Sequence, residues 1–562
     1  MNIKKRNPDC KSVKDVVLSN VGMTECEFLY PDKVYTIDKI KEAKELLSEF
    51  GNSGKLITIV GDYDADGICA SAILSMTFSE MGWKHIVRLP KRFSEGYGLS
   101  EDIIDELEVG LLITVDNGIA ATDAIKKAKD RGFTVIVTDH HLPDADSNIP
   151  PADIVIDPNA IENTATFNGY CGAGLAYKLS VNILGEKHPL IPKLLSLATI
   201  ATVADVMPLI EDNRNIVKNG LITILDKKSR TLGLGAILSR FGIEKYISAK
   251  DIAFKIGPAI NAPGRMFDNG ANISLETLIC DDSLQNAIQR SDFLYEINNK
   301  RKDAKVSTLQ ILRQNIKDNH LENDCPLIVY EVGLPEGLIG IFAGNLAEEY
   351  KVPCIVLTDT EDENILKGSG RTYGNTNIKE LLDRNNKFLI KYGGHADAVG
   401  ISAMHINELN NFKNALQKDF NGKKTVDDDT IYYDLEIDAT EINKMFSEIA
   451  KYEPYGQGNP EIVFLIKNFD ISSVKYMQNG QTVKFTGKDA SAICFDMGDE
   501  YRFLGEPKII DIVGVLNKNS FKNFISNQIE VSKIIPHDTK TIKTPMAQML
   551  EDIAKQNSIK NN

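Results

Sequence analysis

The chain has eight cysteines and no Cys-x-x-Cys pair. Cys10, Cys26, Cys69, Cys171, Cys280, Cys325, Cys354 and Cys494 lie scattered along 562 residues. That spacing argues against a zinc ribbon and offers no disulfide framework, so reduced, mostly buried thiols in a cytoplasmic protein are expected. No apolar run approaches the roughly 20 residues that a membrane helix needs, so no membrane association is expected. The opening MNIKKRNPDCKSVKD carries basic residues with no apolar stretch behind them and does not read as a secretory signal. There is no internal repeat and no low-complexity block. Excess positive charge is also missing: 64 Lys and Arg stand against 79 Asp and Glu, a formal net charge of −15. Taken alone, that balance disfavours a nucleic-acid partner. It ceases to do so if many carboxylates hold cations while basic residues line one groove. Lys84, Arg88, Lys91 and Arg92 form one local basic cluster, and Lys300, Arg301, Lys302 and Lys305 another. Either is equally well a solvated face.

What is present is an ordinary globular composition, 43% hydrophobic and 25% charged, in a chain long enough for several domains. KLITIVG (55–61), LLITV (111–115), FTVIV (133–137) and DIVI (153–156) read as buried strands, with helical stretches from Ile68 and over 120–131 between them. This alternation predicts a doubly wound α/β domain on a parallel sheet over residues 51–282, after an N-terminal helical extension over 1–50. A long helix is predicted over 283–320, then a smaller α/β domain over 321–422 that begins at PLIVYEVG. Short alternating runs follow (IYYDLEI, VFLIKNF, TVKFTG, SAICF, IIDIVGVL, QIEVSKII) and predict a small β-barrel over 423–536, with a tail over 537–562.

The acidic residues carry the most information. The first strand runs into Asp62-Tyr63-Asp64-Ala65-Asp66-Gly67, the second into Asp116-Asn117-Gly118, and the third into Asp139-His140-His141. Ligands bind outside the carboxyl ends of strands in an open parallel sheet, so these groups are delivered to one edge. Ala201-Thr202-Val203-Ala204-Asp205 brings a further Asp after an apolar helical stretch. A single Asp after a strand is ordinarily a cap or turn residue. Four such motifs together would repel one another unless divalent cations neutralised them. Carboxylates mixed with imidazole suit Mn²⁺ or Mg²⁺, and a pair of ions about 3.5–4 Å apart suits phosphoryl displacement.

DYDADG, VDNG, TDHH, ATVADV and GPAINAPGRM, in this order, resemble the successive motifs of the DHH phosphoesterases. KRFSEGYGL (91–99), CGAGLAYKL (171–179) and INNKR (297–301) resemble more narrowly the RecJ-like exonucleases. The resemblance implies a two-lobed fold: a DHH domain, a connecting helix and a DHH-associated domain, followed by an OB-fold barrel. It also implies a dinuclear Mn²⁺ or Mg²⁺ site. Asp64, Asp66, Asp116, His140 and Asp205 match metal ligands; Asp62, Asp139 and His141 match catalytic positions close to the metals, with His141 placed to polarise the scissile phosphate. GSGRT (368–372) and GGHA (393–396) resemble motifs of the second lobe. With them Arg92, Arg265, Ser369, Arg371 and His395 are implied to bind substrate, since guanidinium forks suit phosphate.

PYGQGNP (454–460) is similar to the stretch that leads into the OB fold of the same family. Phe485, Phe495, Phe521 and Phe524 are possible stacking platforms there, although aromatics in small barrels are more often core. The implied activity is 5′→3′ degradation of single-stranded DNA by a cytoplasmic monomer acting in recombination and repair. A single-strand-binding protein or a RecQ-type helicase is the implied partner. The alternatives are a DHH phosphodiesterase of short oligoribonucleotides or cyclic dinucleotides, and a non-catalytic DNA-binding scaffold. The pattern departs from the family at Leu334-Pro335-Glu336, where Trp-His is common, at Ala259 in place of Arg, and at Val399 in place of Ala.

Overall fold

The computed structural model describes residues 2–31, 33–143, 149–160, 164–420, 430–521 and 524–536. The chain forms two compact units, Lys33–Asp428 on one hand and Met1–Asp32 with Asp429–Asn562 on the other.

The larger unit holds two lobes. In the first, Ile57–Val60 and Leu111–Val115 are buried along their whole length, as strands covered on both faces must be. The sheet runs His85–Arg88, Ile57–Val60, Leu111–Val115, Thr134–Thr138, Ile154–Ile156, all parallel. Ile57, Ile59, Leu111, Ile113 and Ile136 face one core, and Val60, Leu112, Val135 and Val137 face another. The sheet is therefore covered on both sides, as predicted. The helix Ala65–Glu80 is apolar almost all round because it is enclosed by Gly172–Leu184 and Ile191–Ala204. The edge strand His85–Arg88 was hidden in the sequence inside a basic cluster. It is four residues long and partly exposed, so it carries little alternation to read.

The connecting helix spans Leu284–Asp318, 35 residues capped by Ser283, or about 50 Å of rise. Its Leu294 packs in the core of the first lobe, whereas Leu309, Leu312 and Ile316 pack in that of the second. One rigid element thus fixes the two lobes against each other. The second lobe has a mixed sheet in the order Lys391–His395, Ala398–His405, Ile365–Arg371, Cys354–Asp359, Leu327–Tyr330. Only the last pair is parallel.

The smaller unit is built around a mixed seven-stranded sheet, ordered Leu435–Asp438, Val463–Asp470, Ile509–Phe521, Phe524–Pro536, Ser491–Cys494, Thr482–Thr486, Ser473–Met477. Register shifts at Ile466/Phe469 and Val513/Gly514 mark bulges, which bend strands. Phe485 is fully buried against Tyr501, with ring centroids 4.6 Å apart, and is core, not a platform. Phe495 and Phe524 are exposed. The side chain of Phe521 and the predicted tail over 537–562 lie outside the described residues.

The predicted N-terminal extension over 1–50 is divided between the units. Asn2–Lys5 pairs in parallel with Thr430–Tyr433, Phe28 stacks on Tyr452, and the Tyr452 hydroxyl donates to Glu25 at 2.8 Å. The helix Ile40–Asn52 instead packs Ile40, Ala43 and Leu47 into the first lobe. Pairing of segments some 430 residues apart has no local signal, so the sequence could not show it. Arg6 donates to the buried Asp434 carboxylate at 2.7 Å, and Asp434 also accepts from the Val463 amide at 2.8 Å. Replacing Arg6 with Ala strands a buried charge and is expected to cost the smaller unit about 1–3 kcal/mol. Hydrogen exchange should speed up at Val463 and its neighbours and stay unchanged in Ile57–Val60. Equal protection of Val463 in both proteins would refute that role.

Candidate active site

The register of the first sheet puts the acids side by side. Val115 pairs with Thr138, and Thr138 with Ile156, so the next residues of the three strands are Asp116, Asp139 and Asp157. Asp62 stands two residues beyond Val60 on the neighbouring strand. Asn117 ties the edge together, donating to the carbonyls of Val60 and Val115 at 3.1 and 2.9 Å. Asp116 itself has φ of 61°, a left-handed conformation that Asp tolerates better than most residues.

Helix ends supply the other acids. Asp64 caps Ala65–Glu80, accepting from the amides of Asp66 and Gly67 at 2.9 and 3.2 Å. Asp66 accepts from the amides of Gly172 and Ala173, at 2.6 and 2.7 Å, at the start of the next helix. Position 172 must be glycine, because a Cβ there would sit 2.5 Å from that of Asp116. Asp205 lies at the carboxyl end of Ile191–Ala204, where the helix dipole disfavours an anion. Asn261 accepts from the Ala65 amide at 2.7 Å, so GPAINAPGRM fixes the DYDADG turn from outside.

His140 Nε2 lies 3.1 Å from Asp116, 3.5 Å from Asp66 and 3.6 Å from Asp205. Burial keeps its imidazole pKa below the usual range, which favours the neutral, ligating form. Asp139 is used differently. Its oxygens accept from the amides of Ile119, His140 and His141 and from His141 Nδ1 at 2.8 Å. Burial alone would raise its pKa, but the His141 hydrogen bond and charge outweigh this and hold it below the ordinary value. Burial likewise opposes a charge on His141, yet Asp139 lifts it to about 9. Asp139 therefore anchors the backbone of both histidines and orients the His141 ring, which engages its oxygens within the protein.

Three sets of donor atoms lie within 4.8 Å of one another: Asp62, Asp64 and Asp116; Asp66, His140 and Asp205; and Asp116, His140 and His141. The first two share no residue, and the third bridges them. Several observations show that these residues fit divalent ions. Burial and the neighbouring Asp64 push the Asp62 carboxyl well up, burial with Asp66 does the same to Asp116, and the same causes raise Asp64. Asp205 is pushed up to about 8 by burial and the charge of Asp66. Asp62 Oδ1 is buried with no hydrogen-bond partner. Oxygen and imidazole donors suit Mn²⁺ or Mg²⁺. The nearby Cys69 and Cys171 thiols are pushed up by burial and then by the charge of Asp66, and so supply no thiolate.

Beside the acids opens a cavity of about 590 Å³ between the lobes. Tyr63, Arg92, Tyr97 and Arg265 line it from one side, and Lys367, Ser369, Arg371 and Lys391 from the other. Arg265 is drawn down to about 10 by burial and by the charges of Arg92, Arg301 and Arg371. Arg92 stacks 4.5 Å over the Tyr63 ring, and Arg371 donates to Ser369 Oγ at 2.8 Å. Among the described residues, none of these guanidinium groups pairs with a carboxylate. Like charges gathered without a counter-ion call for a multivalent anion.

The expected site residues thus converge, with one exception. His395 is exposed on the edge strand and does not line the cavity. Of the departures, Glu336 lies in the cavity and binds Lys367 at 2.5 Å, while Ala259 and Val399 are packed in cores. Sequence reasoning missed Asp157, pushed up to about 7 by burial and by Asp139. It also missed Asn159, which brings no chemistry of its own but donates to the His140 carbonyl at 2.6 Å. The rule applied to three strands, an acid at the carboxyl end, would have found Asp157 after DIVI. Arg301 and Tyr97 were also overlooked as site residues, although both lay in quoted motifs.

Comparison with known proteins agrees with this arrangement. Residues 56–202 match the DHH family N-terminal domain, residues 324–422 the DHHA1 domain, and residues 433–533 the RecJ OB domain. Fold and site together define a two-lobed protein of the DHH class with a terminal OB domain. The single-stranded-DNA-specific exonuclease RecJ of Haemophilus influenzae is 32% identical over 463 residues, 78% of this chain and 78% of that protein. Its counterpart in Thermus thermophilus is 30% identical over 495 residues, 87% of this chain and 70% of that one. The crystal structure of the Thermus thermophilus RecJ in complex with Mn²⁺ matches with a TM-score of 0.77 at 26% identity, covering 94% of this chain and 76% of that one. The chain belongs to the RecJ family.

Asp116→Asn tests the charge balance, since Asn also accepts left-handed backbone. Without metal, the variant should be more stable than wild type by roughly 1 kcal/mol or more, because one buried like charge is gone. The rise in thermal midpoint that Mn²⁺ gives the wild type should shrink or vanish. Calorimetry in EDTA and in Mn²⁺ reads both effects. A variant less stable in EDTA, with the Mn²⁺ response intact, would contradict the charge argument.

Proposed function

We propose that the chain is a metal-dependent exonuclease that hydrolyses single-stranded DNA from its 5′ end. The observation that carries this reading is the juxtaposition, within one unit, of a buried carboxylate edge and an uncompensated arginine cluster across a cavity. The relatives named above are single-stranded-DNA-specific exonucleases.

In this reading Asp64, Asp66, Asp116, His140 and Asp205 hold two Mn²⁺ or Mg²⁺ ions, with Asp62 beside them. The ions would supply an activated water and neutralise charge on the phosphate. Asp139 orients the His141 ring, whose Nε2 N–H would face an oxygen of the scissile phosphate. Arg92, Arg265, Arg371 and Ser369 grip the strand terminus. A 5′-phosphate is a monoester able to carry two charges, whereas a 3′ end ordinarily bears a hydroxyl. A pocket of unpaired guanidinium groups therefore selects the 5′ end. His395, exposed on its edge strand, is left out of the phosphate-binding set. The OB domain would hold the strand further along through exposed aromatics such as Phe495 and Phe524. We place the activity in the cytoplasm, in recombination and repair, carried out by a monomer alongside a single-strand-binding protein or a RecQ-type helicase. Eight cysteines without a disulfide agree with a reducing compartment.

Strands labelled at either end test the polarity. A 5′-phosphorylated single strand should lose its 5′ label first, as mononucleotide, while a blunt duplex resists. A 5′-hydroxyl strand should be cut at least tenfold more slowly, and Arg371→Ala should bring the phosphorylated strand down to about the same rate. Early release of the 3′ label, or cleavage confined to dinucleotides, would favour a phosphodiesterase of short substrates instead.

A further inference from the structure

The cavity and the metal-ligating edge are joined by one side chain that the roles above do not use. Tyr97 lies in the loop between His85–Arg88 and Glu101–Glu106, and the chain holds that loop firmly. The amides of Phe93 and Ser94 donate to Asp268, at 2.7 and 3.1 Å, and Glu95 accepts from Arg88 at 2.7 Å. Gly96 and Gly98 have φ of 85° and 66°, so the residue between them is turned out of the path of an ordinary loop. A Cβ on Gly98 would also press to 3.2 Å from Asn117.

The Tyr97 ring is half exposed and forms part of the cavity wall, edge-on to Tyr63, whose ring carries Arg92 on its face. Its hydroxyl points the other way. It lies 3.1 Å from the Asp116 carbonyl oxygen and 3.3 Å from each ring nitrogen of His141. The carbonyl can only accept, so the single phenolic proton goes there, and the phenol oxygen rests against the imidazole midway between its two nitrogens. His141 Nδ1 is already engaged by Asp139 at 2.8 Å. The imidazole is therefore held by a carboxylate at Nδ1 and packed against a phenol oxygen, which leaves its Nε2 N–H free. The phenol belongs to the wall that a strand terminus would touch.

The geometry points to Tyr97 as a positioning residue that sets the His141 ring for the scissile phosphate and ties this setting to filling of the cavity. The inference rests on reading the cavity as the seat of the strand terminus. Tyr97→Phe keeps the ring and the wall and removes only the hydroxyl. It should lower kcat on a 5′-phosphorylated single strand about tenfold, the lower end of what loss of an orienting group beside a metal site costs. KM and Mn²⁺ affinity should stay within twofold of wild type. In a His141→Ala background the same change should cost nothing further, because the group it positions is gone. A merely structural tyrosine would instead add its full loss to that background.

The contact can also be read without substrate. In full-length protein labelled with ¹⁵N-histidine, the His141 ring signals, assigned by their loss in His141→Ala, should shift in Tyr97→Phe while those of the other histidines stay. If wild type releases no nucleotide from any single strand, the exonuclease reading fails, and the ring signals still decide whether Tyr97 sets His141. If wild type is active, three results overturn the inference: unshifted ring signals, a kcat within twofold, or a loss confined to KM.

Discussion

Five carboxylates crowded together, three of them fully buried, govern this structure. Asp62, Asp66 and Asp116 are buried in the first lobe, Asp64 is half-buried beside them, and Asp205, also half-buried, faces them from the end of a helix. Nothing in hydrophobic packing rewards that crowding, since each charge loses hydration and meets others of its own sign. Much of the surrounding fold keeps the group together. The parallel register delivers Asp116 beside Asp139, helix starts cap Asp64 and Asp66, and Gly172 is reduced to a hydrogen so that a helix can approach Asp116. Such an arrangement calls for a countercharge, which divalent cations would supply.

A second cluster of opposite sign lies next to the first. Arg92, Arg265 and Arg371 converge with no carboxylate partner among the described residues, although acids outnumber bases in the chain. The net charge of −15 therefore says little about the partner. Many of the acids are dispersed or enclosed, and of the charged groups that line the cavity only Glu95 and Glu336 are acidic, both paired with bases, against Arg92, Arg265, Arg371, Lys367 and Lys391. Keeping the two clusters apart, instead of letting arginine neutralise aspartate, leaves both available. The Leu284–Asp318 helix, packed into the cores of both lobes, holds Arg371 of the second lobe opposite Arg92 and Arg265 of the first.

How much of this could be read from the sequence varied with the range of the interaction. Strands with continuous apolar runs, Leu111–Val115 above all, announced themselves, and the acids that follow them came with them. The long helix was plain from its recurring apolar positions. What escaped was of two kinds. Some features depend on pairing between distant segments, such as Asn2–Lys5 with Thr430–Tyr433, where neither segment marks its partner. Others depend on the direction of a side chain. His395 sits in a glycine motif that lines the cavity through Gly393 and yet is itself exposed, while Tyr97, quoted within KRFSEGYGL but given no role, turns its hydroxyl inward. Phe485 belongs to the same class, an aromatic whose inward facing only the fold decides.

The chemistry of this protein turns on whether the carboxylate edge holds a pair of cations. Crystals of the protein soaked in Mn²⁺ and measured at the manganese absorption edge answer this directly. Two anomalous peaks are predicted, one among Asp62, Asp64 and Asp116 and the other among Asp66, His140 and Asp205. An edge that stays empty at millimolar Mn²⁺, or manganese bound only elsewhere on the molecule, would contradict it.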